Sequence, residues 1–157
     1  MADPNTVLLH GIINDEQDGV ADGTVTPGDV AEFSGTESSG ELQVTRLNSD
    51  DAVDPLVALE SADTGRGIDD DYSDGDYCIV RRPVPGERYY MNLIAGGDAT
   101  AGSDANVSVG DVMAPSGTDG TIEAAGTNSN GSFEAVEAVD NSGASSGDHV
   151  RLKVEAI

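Results

Sequence analysis

The sequence predicts an all-β protein made of two similar small β units, each a barrel or a sandwich. Three observations predict it. Apolar pairs and alternations of four to seven residues recur without a sustained helical period, they are separated by turn dipeptides of the Asp-Gly and Asn-Gly kind, and one stretch of chain occurs twice. Segments 22–35 and 104–117 lie 82 residues apart and agree, without gaps, at seven of fourteen positions. The matching residues are Asp22, Val25, Gly28, Asp29, Val30, Ser34 and Gly35 against Asp104, Val107, Gly110, Asp111, Val112, Ser116 and Gly117. Farther on, Ala58-Leu59-Glu60 resembles Ala135-Val136-Glu137, and the stretch 75–81 resembles 147–153. Three blocks in one order indicate duplication of one β unit, and two copies are too few for a solenoid.

Taken along the chain, strands are expected near 7–13, 28–33, 41–47, 56–61, 76–82, 88–94, 111–114, 121–125, 133–139 and 149–154. Each holds an apolar pair or alternation of the kind a half-buried strand needs. Between them fall Asp18-Gly19, Asp22-Gly23, Asp74-Gly75, Asp119-Gly120 and Asn130-Gly131, dipeptides that supply the positive φ of tight hairpins. Short helices near Ala58 or Glu134 are the alternative at those two places. Pro83 and Pro85 cannot continue a hydrogen-bonded ladder, which places the boundary between units 1–83 and 84–157, packed separately or as a single domain.

Composition bounds the function. The 157 residues carry 30 acidic and 7 basic side chains, a formal charge of −23. Nucleic acids and anionic membranes are bound by clustered Lys and Arg, so neither is an expected partner. Apolar stretches such as Val7-Leu8-Leu9 fall far short of the ~20 residues a membrane helix needs. Met1-Ala2-Asp3-Pro4 lacks the basic and apolar regions of a secretory signal. Apolar pairs interrupt the charges at regular intervals, which suits a folded acidic shell adapted to molar salt better than a disordered chain. Cys78 is the single cysteine, so neither an internal disulfide nor a multi-cysteine metal site exists.

The most chemical-looking stretch is Asp69-Asp70-Asp71-Tyr72-Ser73-Asp74-Gly75-Asp76. With Gly75 at the turn of a calcium loop, Tyr72 occupies the third ligand position and Arg81 the twelfth, where oxygen ligands are needed. The pattern fails, leaving a solvated acidic loop. Cys78 lies in an apolar strand, unlike a reactive thiolate, and His10 and His149 share no metal spacing. Thr64-Gly65-Arg66-Gly67 lacks the ending of a phosphate loop. Two glycosylation sequons, at Asn106 and Asn130, are expected by chance in a chain this rich in Asn and Ser. No catalytic, cofactor-binding or metal-binding residue follows, and no cofactor is expected.

Several stretches resemble capsid decoration (head-stabilising) proteins of tailed viruses. Thr64-Gly65-Arg66-Gly67-Ile68-Asp69 with Tyr72-Ser73-Asp74-Gly75-Asp76 resembles the family's glycine-rich loop entering a strand. Pro85-Gly86-Glu87-Arg88 resembles the turn opening its second half, and Val109-Gly110-Asp111-Val112-Met113 a turn-strand signature. Residues 134–143 and the strand 150–154 resemble its C-terminal end. The resemblance implies a non-enzymatic virion protein, made in the host cytoplasm, that sits outside the shell. It would bind the major capsid protein and form a homo-oligomer, a trimer being favoured. The acidic composition would make this a haloarchaeal tailed-virus version. The alternative is a haloarchaeal cell-surface module that binds carbohydrate or cations. One or more of the charge-poor stretches 7–13, 91–97 and 111–117, with Leu8, Ile12, Leu93 and Met113, is expected at a subunit or capsid interface, with ordinary strand core inside one unit as the alternative.

Overall fold

A computed structural model describes residues 6–10, 16–37, 39–48, 55–126 and 131–157, without the side chain of His10. The strands are β1 (Leu8–His10), β2 (Glu16–Ala21), β3 (Val30–Thr36), β4 (Leu42–Arg46), β5 (Leu56–Leu59), β6 (Tyr77–Arg81) and β7 (Arg88–Leu93). They continue with β8 (Asn106–Val107), β9 (Val112–Pro115), β10 (Ile122–Ala124), β11 (Phe133–Ala135), β12 (Val139–Asp140) and β13 (Val150–Ala156). A single turn of 3-10 helix, Gly102–Ala105, precedes β8. The segments around Ala58 and Glu134 are strands, β5 and β11.

The strands close into two barrels of the same topology. The first runs β2-β4-β3-β5-β6, with β6 returning to β2. The second runs β7-β10-β9-β11-β13, with β13 returning to β7. In each, one pair is parallel (β2 with β4, β7 with β10) and the other four are antiparallel. Closure leaves no free sheet edge within a barrel. Strand β1 adds antiparallel to β7 of the second barrel, and β8 pairs with β12 in a separate ribbon.

The register shows how the duplication maps. Ala31 pairs with Leu56 and Arg46, as Met113 pairs with Phe133 and Ala124, so β3 and β9 correspond at the 82-residue offset. The turns entering them are alike. Gly28 and Gly110 have φ of +93° and +89°, a region glycine enters without the Cβ clash. Asp29 Oδ2 accepts from the Thr26 amide at 2.7 Å, and Asp111 Oδ2 from the Ser108 amide at 2.8 Å. Gly28 N donates to Ala58 O and Gly110 N to Ala135 O, both at 2.8 Å. The third repeat block needs a correction. Ala58 faces Val80 and Ala135 faces Val154, an offset of 74 residues, where aligning Gly75 with Gly147 had implied 72. The second copy takes two more residues from that glycine to its strand.

The first barrel is filled by Ala21, Val25, Ala31, Val44, Leu56, Ala58, Tyr72, Cys78 and Val80. Five strands enclose little volume, so small side chains dominate. Gly19 belongs to this packing. The Asp18-Gly19 pair expected as a hairpin lies inside β2, and a Cβ on Gly19 would come within 2.5 Å of the Val44 side chain. The second barrel holds Met91, Leu93, Met113, Ile122, Leu152 and Val154, with Tyr89 edge-on to Phe133 at a centroid distance of 6.3 Å. That cluster continues into Val30, Leu47, Val57, Leu59 and Ile68 of the first barrel, so one apolar seam joins the two.

Candidate functional site

The acidic loop is built by its own hydrogen bonds. Asp70 accepts from the Gly67 amide at 2.7 Å, Asp71 from the Thr26 hydroxyl at 2.6 Å, and Asp74 from the Gly23 amide at 3.1 Å. Asp76 accepts from the Ser73 amide at 2.8 Å and from Arg66 at 2.6 Å. Arg66 also donates to Asp71 O and stacks on Tyr72, 5.2 Å from the ring centroid. Carboxylates committed to amides and a guanidinium are turn-builders rather than free ligands. Among the described residues no group of three or more His, Cys, Asp or Glu side chains converges as a metal would require. Arg66, read in the sequence as part of a failed phosphate loop, is the hub of this one. Arg66→Ala is therefore expected to expose residues 62–76 to protease while lowering global stability by no more than about 1 kcal/mol, since the pair is partly solvated. Limited proteolysis alongside a denaturation curve checks both parts.

The remaining candidates stay apart. Cys78 is buried in the first barrel, and burial pushes its thiol up to about 11. A native thiol in that state is expected to ignore an aromatic disulfide reagent at pH 8 and to react fully once the chain is unfolded. Rapid native reaction would contradict the placement. His149 meets Asp98 at 3.1 Å in the second barrel. Asp98 also accepts from Ser146 and the Gly147 amide, and these bonds hold its carboxyl below the ordinary range. The backbone of His10 lies in β1 opposite Arg88. Asn106 lies in β8, and Asn130 falls outside the described residues.

Two polar clusters position the barrels. Between β6 and β7, Arg81 and Glu87 form an ion pair whose side chains are each 2% exposed. Glu87 also accepts from the Tyr89 hydroxyl and from the Val84 amide, which ties down the linker. At the barrel junction Asp29 accepts from Arg46 at 2.7 Å, Asn92 at 2.7 Å and the Thr26 amide. Burial nevertheless raises its pKa above the ordinary value, against the pull of Arg46. Arg151 reaches across to Pro27 O at 2.9 Å and Ile68 O at 2.5 Å.

As contact surfaces, stretches 91–97 and 111–117 are corrected to mainly core: Met91, Leu93 and Met113 belong to the apolar cluster of the second barrel, and Ile94, Ala95 and Ala114 are buried as well. Leu8 packs partly against the same core, and Ile12 lies outside the described residues. The large apolar side chains left exposed are Leu42, Tyr77, Val84, Val109, Val112, Val150 and Ile157 among the described residues. Leu42, Tyr77 and Val112 stand on barrel strands, and Val109 lies in the turn that enters β9.

This tandem-barrel fold is shared with a solved structure. The chain is similar to the N base of the head fiber gp8.5 of bacteriophage phi29, with a TM-score of 0.56 and 15% identity, over 90% of this chain and 92% of that one. No family model matches the chain, and no curated protein does. At that identity the likeness speaks for the fold alone.

Proposed function

We propose that the chain is a non-enzymatic structural protein of a tailed virus, which binds the outside of the capsid shell and stabilises it in high salt. The observation that carries this reading is the match of nearly the whole chain to the base of a phage head fiber. It agrees with the resemblance of the loop 64–76 and the strand entry 109–113 to capsid decoration proteins. The chemistry is compatible: the acidic loop, Cys78 and His149 are occupied in holding the fold. Shell stabilisation needs only many modest contacts acting together, which a rigid pair of barrels can supply without a deep pocket. The major capsid protein is the partner, and the protein acts as a homo-oligomer on the virion. The alternative cell-surface module loses support because the carboxylates that would take a cation already hold amides and Arg66.

Mass spectrometry of gradient-purified virus particles tests the reading. The protein should be recovered in fixed proportion to the major capsid protein. Its absence from particles, with recovery from cell envelopes instead, would favour the surface module.

A further inference from the structure

The junction between the two barrels of one chain uses surfaces that the duplication has made twice, and the second set leaves four large apolar side chains exposed. On the first barrel the donor surface is the turn 27–30. Pro27, Gly28 and Asp29 are buried, and Val30 is 0% exposed. On the second barrel the receiving surface is the outer side of β7 and β13 with the turn before β10. Asn92 N donates to Gly28 O at 3.0 Å, Val30 N to Gly120 O at 2.6 Å, and Arg151 to Pro27 O.

Following the pairing register round each barrel gives the counterparts, of which Val20 is buried and Val109, Val112, Tyr77 and Leu42 are exposed. The donor turn corresponds to 109–112, where Val109 is 67% and Val112 42% exposed. Asn92 corresponds to Val20, Arg151 to Tyr77 and Gly120 to Leu42, by the β2–β6 and β7–β13 registers and the pairing of Val44 and Ile122 with their β3 and β9 partners. Tyr77 is 61% and Leu42 43% exposed. On the receiving face the polar Arg151 and Asn92 are replaced by Tyr77 and Val20, and Gly120 by Leu42, while the turn keeps its apolar residues, Pro27 and Val30 matching Val109 and Val112.

We propose that the turn 108–112 of the second barrel docks on the β2–β6 face of the first barrel of another copy, repeating between chains the junction found within one. The occupant of the Tyr77–Leu42 face is thus a second copy of this chain. The contact joins unlike surfaces, so it runs head to tail, and copies whose rotation closes form a ring. Burying Val109, Val112, Tyr77 and Leu42 supplies the apolar drive. With −23 on each copy, assembly needs salt to screen the approach. This contact stands whether or not the ring is mounted on a capsid.

Sedimentation velocity in molar potassium chloride tests it. The wild type should run as one discrete oligomer, and Val109→Asp should weaken association about tenfold or more with an unchanged circular dichroism spectrum, because the position is exposed in the single chain. A covalent test is independent of that variant. Within the chain, a Cβ built on Gly120 would stand 2.8 Å from Asp29 Cβ. The corresponding pair, Leu42→Cys with Asp111→Cys, should therefore form an intermolecular disulfide on oxidation, while either single variant should not. A wild type that stays monomeric in molar salt would overturn the proposal. So would an oligomer indifferent to Val109→Asp together with a double-cysteine variant that fails to cross-link.

Discussion

Glu87→Ala is expected to cost about 3–5 kcal/mol, because it leaves the buried Arg81 guanidinium without its carboxylate. In a protein of this size that corresponds to a fall in Tm of about 6–20 °C. The position matters because the pair spans the linker. Arg81 ends β6, Glu87 precedes β7, and the same carboxylate holds Val84 N at 3.2 Å and the Tyr89 hydroxyl. The hydrogen-bonded Glu87 carboxylate holds the Arg81 pKa above its already high value, so the charge on Arg81 is permanent and cannot be relieved by deprotonation. Replacing both partners by apolar residues, Arg81→Met with Glu87→Leu, should recover most of the loss, since neither buried charge then remains. Denaturant titrations at constant salt measure all three variants. A single variant within about 1 kcal/mol of wild type would show that the pair is more solvated than its burial implies.

Salt should have an effect of similar or greater size. Two like charges about 10 Å apart in unscreened water repel by roughly 0.4 kcal/mol. About twenty such pairs would match the roughly 5–15 kcal/mol that holds a typical domain. The chain has 30 acidic and 7 basic residues, and Arg46, Arg66 and Arg81 are engaged inside the fold. At about 1 M salt the Debye length is about 3 Å and most of this repulsion vanishes, whereas at about 0.1 M it is about 10 Å. The folded protein is therefore expected to be stable in molar potassium chloride and to lose much or all of its stability as salt falls to about 0.1 M. Thermal melts across that range measure it. Midpoints that do not move would refute adaptation to high salt.

The strands with apolar alternation were legible because burial inside a barrel leaves a period of two. Along β13, Leu152, Val154 and Ala156 face inward between Arg151, Lys153 and Glu155. The duplication was legible because its first block builds a turn whose requirements are local: a glycine at positive φ, and an aspartate capping the amide three residues earlier. What escaped depends on partners distant in sequence. Gly19 reads as a turn residue, yet it is a strand glycine required by Val44 on the neighbouring strand β4. Low charge at Leu93 and Met113 reads as an interface, but the inside of a narrow barrel selects the same residues. The surfaces left over, around Tyr77 and Val109, announce themselves only when the two copies are compared in three dimensions. Arg66 carried no signal of its role, since its partners Asp71, Tyr72 and Asp76 become neighbours only when the loop closes.

The central claim, that this pair of barrels reinforces a viral shell, is tested most directly by adding the purified protein to capsids that lack it, in molar salt. Binding is read by co-sedimentation, and stability by the temperature at which the shells release their contents. Saturable binding with a higher release temperature is the predicted result. Wild-type protein that is folded and assembled yet neither binds the shells nor raises that temperature would contradict it.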